Sequence, residues 1–235
     1  MRWINSQNIT TVHGFSTRHG GVSTGAFSSL NLGGSEDFPE HIAENRTLAL
    51  ADLGIDFQQV SYLNQIHSNR VCRAAIGKQT GDALVTNTSN IAIAVGAADC
   101  YPVLFYDEKN RVIGAAHCGW KGTLAMIVKH TIEEMQLLGA EKEQIKVAIG
   151  QGISMENYQV SEEVIEQFRA YGFPEYCWQN RQLNLLAANK WVALQAGVTE
   201  ENIWSMNRCT TEDEFFSYRR DQGKTGRMWG LIMLK

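Results

Sequence analysis

Proline occurs only three times in this 235-residue chain, and no Pro-, Gly- or Ser-rich tract divides it. Without a linker or a repeat of fixed period, residues 1–235 read as one domain. No run approaches the roughly 18 apolar residues of a membrane-spanning helix. The first residues, Met1-Arg2-Trp3-Ile4-Asn5, carry no secretory-type apolar stretch. Basic runs are missing too: none exceeds the Arg219-Arg220 pair, and 21 Lys and Arg stand against 25 acidic residues, for a net charge of −4. Neither nucleic acid nor a membrane surface is therefore expected as a partner. CxxC spacing is absent. The five cysteines (72, 100, 118, 177 and 209) form an odd set, which argues against a disulfide framework and fits a reducing cytoplasm. None of this fixes an oligomeric state.

What is present is an alternation of β-rich and helical patterns. Apolar, β-branched runs predict strands at 60–63, 71–75, 91–95, 103–106, 112–116, 145–149 and 229–234. Pro39 opens a helix that runs to Leu53, before Gly54. Leu124, Ile127, Val128, Thr131, Ile132, Met135 and Leu138 form one amphipathic stripe, closed by Gly139. Ser161 and Asn184 stand as N-caps of two further helices ending near Gly172 and Gly197. The mixture predicts an α/β domain with helices covering sheet faces.

The densest chemical signal lies between Ala97 and Thr123. Ala98-Asp99-Cys100-Tyr101-Pro102 adjoins one apolar strand, and Ala116-His117-Cys118-Gly119-Trp120-Lys121-Gly122 closes another. Upstream, Leu63-Asn64-Gln65-Ile66-His67 repeats the arrangement of a strand followed by a histidine. Thiolate and imidazole suit zinc, and three protein ligands leave a position for water or substrate. The intervals of 33 and 17 residues between His67, Cys100 and His117 are not those of a zinc finger. Taken singly, each residue reads more readily as a packed, hydrogen-bonded strand end.

The same segments resemble the signatures of the YfiH family, also called laccase-domain proteins or peptidoglycan editing factors. Gln65-Ile66-His67, Ala98-Asp99-Cys100-Tyr101-Pro102-Val103-Leu104 and His117-Cys118-Gly119-Trp120-Lys121-Gly122 carry the likeness. It extends through Ser16-Thr17-Arg18-His19-Gly20-Gly21, Ser29-Leu30-Asn31-Leu32-Gly33, Glu44-Asn45-Arg46, Gly81-Asp82-Ala83, Phe216-Ser217-Tyr218-Arg219 and Thr225-Gly226-Arg227. The resemblance implies a four-layer α-β-β-α sandwich with mixed sheets. It implies a zinc ion on His67, Cys100 and His117, with copper as the alternative metal. It also implies phosphorolysis of adenosine, inosine, guanosine and methylthioadenosine, with adenosine deamination beside it. The chain departs from the family pattern at Ser68, where glycine is usual, at Cys118, where alanine is common, and at Gln151-Gly152.

Each activity makes demands of its own. Deamination needs a hydroxide at purine C6, which a zinc centre can supply, and a carboxylate to move the proton. Asp99 and Asp82 are the candidates. Asp99 adjoins Cys100, so on an extended strand the two side chains would face opposite ways. Phosphorolysis needs an anion pocket beside the sugar. Arg46 shares a helix face with Ile42, Leu50 and Leu53, and a guanidinium on an apolar stripe needs a partner. Arg18 and Asn31 join it as expected substrate contacts, with Arg219 and Arg220 as alternatives. The Gly119–Thr123 and Gly20–Gly21 turns offer backbone amides to an anion, or serve only as tight turns.

Three rival functions stay open at this level. A copper polyphenol oxidase follows from the laccase name, but the chain has six histidines and no His-x-His pair, too few for a four-copper centre. A hydrolase could use Cys100 as nucleophile and His117 as base. A protein that edits cell-wall precursors is the third reading.

Overall fold

The computed structural model describes residues 1–34 and 36–235. Among these residues fourteen strands and five α-helices succeed one another. The strands are β1 (Trp3–Ile4), β2 (Val12–Ser16), β3 (Val60–Asn64), β4 (Val71–Arg73), β5 (Gly77–Thr80), β6 (Ala83–Thr86), β7 (Ala92–Ala97), β8 (Tyr101–Asp107), β9 (Val112–Cys118), β10 (Lys146–Ile149), β11 (Trp178–Gln179), β12 (Gln182–Leu183), β13 (Ile203–Ser205) and β14 (Met228–Met233). The helices are α1 (Pro39–Ala51), α2 (Trp120–Leu124), α3 (Ile127–Gln136), α4 (Glu162–Ala170) and α5 (Leu185–Gln195). Two six-stranded mixed sheets result, in the orders β1-β2-β14-β7-β3-β5 and β13-β10-β8-β9-β6-β4.

Period-2 alternation sorts each strand's side chains between two apolar layers. In β7, Ile93 and Val95 join Phe15 and Ile232 in the core between the sheets, opposite Leu104, Ile113 and Ala115 of the second sheet. The intervening Ala92 and Ala94 pack outward with Trp229 and Leu231 against Leu50 of α1. On the far side, Val103, Phe105, Val112 and Ala116 meet Ile127 and Val128 of α3, Phe168 of α4 and Val192 of α5. Three stacked apolar layers make a helix–sheet–sheet–helix sandwich, as the resemblance implies. No helix of the described residues is long and apolar enough to cross a membrane.

All seven expected strands form. Two central ones went unread: β2, with Gly14 in its middle, and the four-residue β6. Both are buried along almost their whole length, but with two apolar side chains in β2 and three in β6 neither offers the longer apolar run by which a buried strand is read. The stripe from Leu124 to Leu138 is not one helix. It breaks into α2 and α3 at Met126, which adopts φ 61. Leu124 and Ile127 still reach the same apolar layer across the break, so the periodicity survives where the helix does not. Asn184 caps α5 by accepting from the Ala187 amide at 3.0 Å. Ser161 takes the cap position of α4 without a side-chain bond to it.

Candidate metal centre

Three chain segments end at one place. His67 follows β3 of the first sheet, Cys100 leads into β8 of the second, and His117 lies at the end of β9, paired with Pro102. Their ligand atoms all lie within 4.8 Å of one another. The imidazole rings of His67 and His117 meet edge to face with centroids 4.9 Å apart. Alternation along β9 turns His117 to the site while Cys118 points into the helix-side core, where burial pushes its thiol well up. Gly119 closes the cluster: a Cβ there would stand 2.9 Å from the Cys100 sulfur and 3.3 Å from the His67 ring, so no larger residue fits without a shift.

Asp82 organises the two histidines. It precedes β6, which pairs with β9 so that Ala83 faces Ala116, and its carboxylate is fully buried. One oxygen accepts from His117 Nδ1 at 3.0 Å and from the His67 amide at 3.0 Å. The other accepts from the Ser68 amide and hydroxyl, both at 2.7 Å, and from the Ile66 amide at 3.3 Å. His67 itself holds φ 57, a left-handed conformation uncommon outside glycine, and this carboxylate grips the amides on both sides of it. With Nδ1 engaged by Asp82, the other ring nitrogen of His117 is the one free to face Cys100.

The electrostatics follow from these contacts. Burial raises the Asp82 carboxyl, but hydrogen bonds from His117 and Ser68 overcome it and bring the group down to about 2. Burial likewise raises the Cys100 thiol; His117 and His67 reverse that and bring it to about 6. For His117, burial lowers the pKa, while Cys100 and Asp82 raise it to about 9. Each group thus favours the charged form of the other, a thiolate beside an imidazolium, in the metal-free cluster. We expect Cys100 in metal-stripped protein to react with iodoacetamide with a midpoint near pH 6; a midpoint near the ordinary thiol value of 9.0 would contradict this reading.

The cluster opens onto a cleft of about 720 Å³, whose walls include Tyr62, Gln65, Trp120, Tyr158, Tyr218 and Trp229. Four cations also line it: Arg46, Lys78, Arg219 and Arg227. None of the four has a carboxylate partner among the described residues. In a chain of net charge −4, that concentrates positive potential in one concavity. The Arg46 guanidinium lies 5.0 to 5.2 Å from the rings of Phe57, Tyr62 and Trp229, and its Nε donates to the Leu32 carbonyl at 2.9 Å. Burial lowers its pKa.

The other expected contacts sit elsewhere. Arg18 lies over the Phe216 ring at 4.7 Å and donates to the Ser28 carbonyl, outside the residues that line the cleft. Asn31 is fully buried: its amide donates to Asp37, and its side-chain oxygen accepts from the Gly33 and Arg227 amides. The structure thus gives both residues scaffold contacts. The Gly20–Gly21 turn is packed rather than open, since a Cβ on Gly21 would lie 2.4 Å from Asn45 Oδ1, and α2 after Gly119 is only five residues long. Asp99 sits in a bend at φ 84 rather than on an extended strand, and its carboxylate accepts from Thr210, Ser217 and the Arg219 amide. Lys78 and Arg227 carried no isolated signal, although Arg227 stands inside the quoted Thr225-Gly226-Arg227 block.

Comparison with known proteins adds a second line of findings. The family model described as "Multi-copper polyphenol oxidoreductase laccase" matches residues 12–235. A Deinococcus radiodurans protein named purine nucleoside phosphorylase is 46% identical over 235 residues, covering 98% of this chain and 92% of its own. A protein from an unknown prokaryotic organism named adenosine deaminase RL5 is 32% identical and covers 98% and 97%. Among solved structures, YfiH of Bacillus licheniformis superposes with a TM-score of 0.90 at 30% identity, covering 95% of this chain and 92% of its own. A Neisseria meningitidis protein superposes with a TM-score of 0.89 at 34% identity over the full length of both chains.

Proposed function

Because the chain belongs to the YfiH family, the one described as multi-copper polyphenol oxidoreductase laccase, we propose that it is a zinc-dependent purine nucleoside phosphorylase that also deaminates adenosine. The observation that carries this reading is the meeting of His67, Cys100 and His117 in the lining of a cleft that also holds aromatic rings and four cations without carboxylate partners among the described residues. Two imidazoles and a low-pKa thiol are a borderline-soft donor set of the kind zinc takes, and three ligands leave one position open. Their spacing needs only modest contraction to allow bonds of roughly 2.0 to 2.3 Å. Bound there, the ion supplies Lewis acidity beside the substrate. The names of relatives support the class of reaction: several are called purine nucleoside phosphorylase and one adenosine deaminase.

The chain's own residues do the rest. Tyr62, Trp120, Tyr158 and Trp229 offer faces on which a purine can stack. The cations hold inorganic phosphate next to C1′, so that a C1′–O bond forms as the bond from C1′ to the purine nitrogen breaks. Free base and sugar 1-phosphate are the products. We assign adenosine, inosine, guanosine and methylthioadenosine as substrates. Asp82 is assigned to orienting His117; of the two carboxylates it is the one in contact with the ligand set. Arg46→Ala is expected to keep the metal and raise the KM for phosphate about tenfold, the scale of one charge-assisted hydrogen bond of about 1.5 kcal/mol. Phosphate kinetics equal to wild type would remove Arg46 from the anion site.

The deciding experiment incubates metal-quantified protein with inosine or adenosine, with and without phosphate. Phosphate-dependent base and ribose 1-phosphate support phosphorolysis; inosine from adenosine supports deamination; neither product sinks the reading. The family description favours a second reading, oxidation of phenols on copper, and two imidazoles with a thiolate can also hold one copper ion. That cluster is the single group of three metal-ligating side chains among the described residues, which favours a mononuclear site. Phenol oxidation by copper-loaded but not zinc-loaded protein would support the copper reading. Rapid alkylation of Cys100 in zinc-loaded protein would instead favour a thiol hydrolase.

A further inference from the structure

Asp99 stands next to a metal ligand, yet its contacts all lead away from the metal. Its backbone is left-handed, at φ 84, and the residue as a whole is 8% exposed. One carboxylate oxygen accepts the Thr210 hydroxyl at 2.6 Å and the Ser217 hydroxyl at 2.7 Å; the other accepts the Arg219 amide at 2.6 Å. Thr210 and Ser217 are fully buried. A segment more than a hundred residues away in sequence is thus pinned at three points to the bend that carries Cys100. That segment is part of the cleft wall. The Arg219 guanidinium, over the Tyr158 ring at 5.2 Å and bonded to the Gln159 carbonyl, lines the cleft with Tyr218. Arg227 lies over Tyr218 at 5.8 Å.

Resting on the reading of the cleft as a nucleoside and phosphate site, we propose that Asp99 is a positioning residue: it sets Arg219 and the Tyr218–Arg227 wall at a fixed place relative to the Cys100 sulfur, so that the anion and the metal-facing end of the substrate are held in register. A carboxylate suits this task because three of its roughly four acceptor positions are taken by donors from one segment. Two hydroxyls and an amide converging on one ionised group make short charge-assisted bonds. An amide side chain of the same shape would turn an NH₂ toward a donor and loosen the segment.

The test is a double-mutant cycle on zinc-loaded protein with Asp99→Asn, Arg219→Ala and the pair, plus Ser217→Ala as a milder variant should Asp99→Asn fold poorly. Binding of inorganic phosphate is followed by calorimetry, phosphorolysis by steady-state kinetics, and amide exchange over residues 217–220 by mass spectrometry. Expected are unchanged metal content, at least fivefold weaker phosphate binding and a matching rise in KM for Asp99→Asn, with kcat within about threefold. Against Arg219→Ala alone, the double variant should lose less than Asp99→Asn costs on its own, the remainder coming from the Tyr218–Arg227 wall, and Ser217→Ala should move the same way as Asp99→Asn by less. Loss of kcat at constant KM, or additive losses in the double variant, would overturn the proposal. If wild-type protein turns over no nucleoside, the functional reading fails on its own. Exchange over 217–220 then still decides for Asp99: faster exchange in Asp99→Asn supports it, and unchanged exchange overturns it.

Discussion

Cys100→Ser, His67→Ala and His117→Ala proteins are each expected to lose the bound metal on dialysis and to fall more than about a hundredfold in phosphorolysis. The apparent free energy of a structural zinc site is roughly 10–16 kcal/mol over four ligands. One ligand is therefore worth about 3 kcal/mol, and two orders of magnitude in affinity go with it. Serine matches the shape of cysteine but cannot supply a thiolate, so Cys100→Ser removes the donor while leaving the packing against Gly119 in place. Metal content by elemental analysis, read beside product formation from inosine and phosphate, checks the result. Full activity in metal-depleted variants would end the zinc reading, whatever the fold.

Removing the Asp82 carboxylate should cost both stability and metal. The group is fully buried and accepts from Ile66, His67, Ser68 and His117. Asp82→Ala strands these donors; the His117 bond is buried and those from 66–68 are partly so, and an unsatisfied buried group costs about 1–3 kcal/mol. Partial relaxation makes a total of about 3–5 kcal/mol reasonable for a broken buried network. In a domain of this size each kcal/mol is worth about 2–4 °C, so a fall on the order of 10 °C in Tm is expected. Asp82→Asn keeps the shape and should weaken zinc roughly 10- to 100-fold, the usual effect of disturbing the group that orients a ligand histidine. A Tm within about 2 °C of wild type for Asp82→Ala would contradict this account.

The same carboxylate sets a pH dependence whose sign can be stated. Its folded pKa, about 2, is below the unfolded value of 3.8. The stabilisation is therefore present above pH 4 and is lost as pH falls toward 2. In metal-free protein, the difference in Tm between wild type and Asp82→Asn should hold between about pH 5 and 6.5, shrink below pH 4, and shrink again as pH rises toward 9, because Asp82 helps raise His117 from 6.5 to about 9. A difference that grows on acidification from about pH 5 to 2 would show the opposite linkage.

Much of the scaffold was legible because it rests on local periodicity. Continuous apolar runs at 103–106 and 112–116 placed two central strands, and Pro39 with Gly54 bracketed α1. Where the apolar run is short, as in the four-residue β6, that signal is lost. Where a chain breaks with neither glycine nor proline, as at Met126, the apolar stripe runs on and conceals the break. The candidate ligands were visible as a residue type at three strand ends, and Arg46 as a charge on an apolar helix face. Arg18 and Asn31 stood in equally specific blocks, yet their side chains serve the scaffold. A sequence block marks a residue that matters without saying what it touches.

By itself the sequence determined the chemistry available: two imidazoles and a thiol at strand ends, no disulfide framework, too few histidines for a multi-copper centre, and an α/β architecture. Tertiary structure alone decided which groups meet. It brought Lys78, Arg219 and Arg227 to the cleft of Arg46, gave Asp82 to the ligand histidines, and gave Asp99 to a segment more than a hundred residues away. The physical reason is range. Side-chain period and capping act over a few residues, whereas the convergence of distant groups depends on sheet order and strand register, which many parts of the chain fix together.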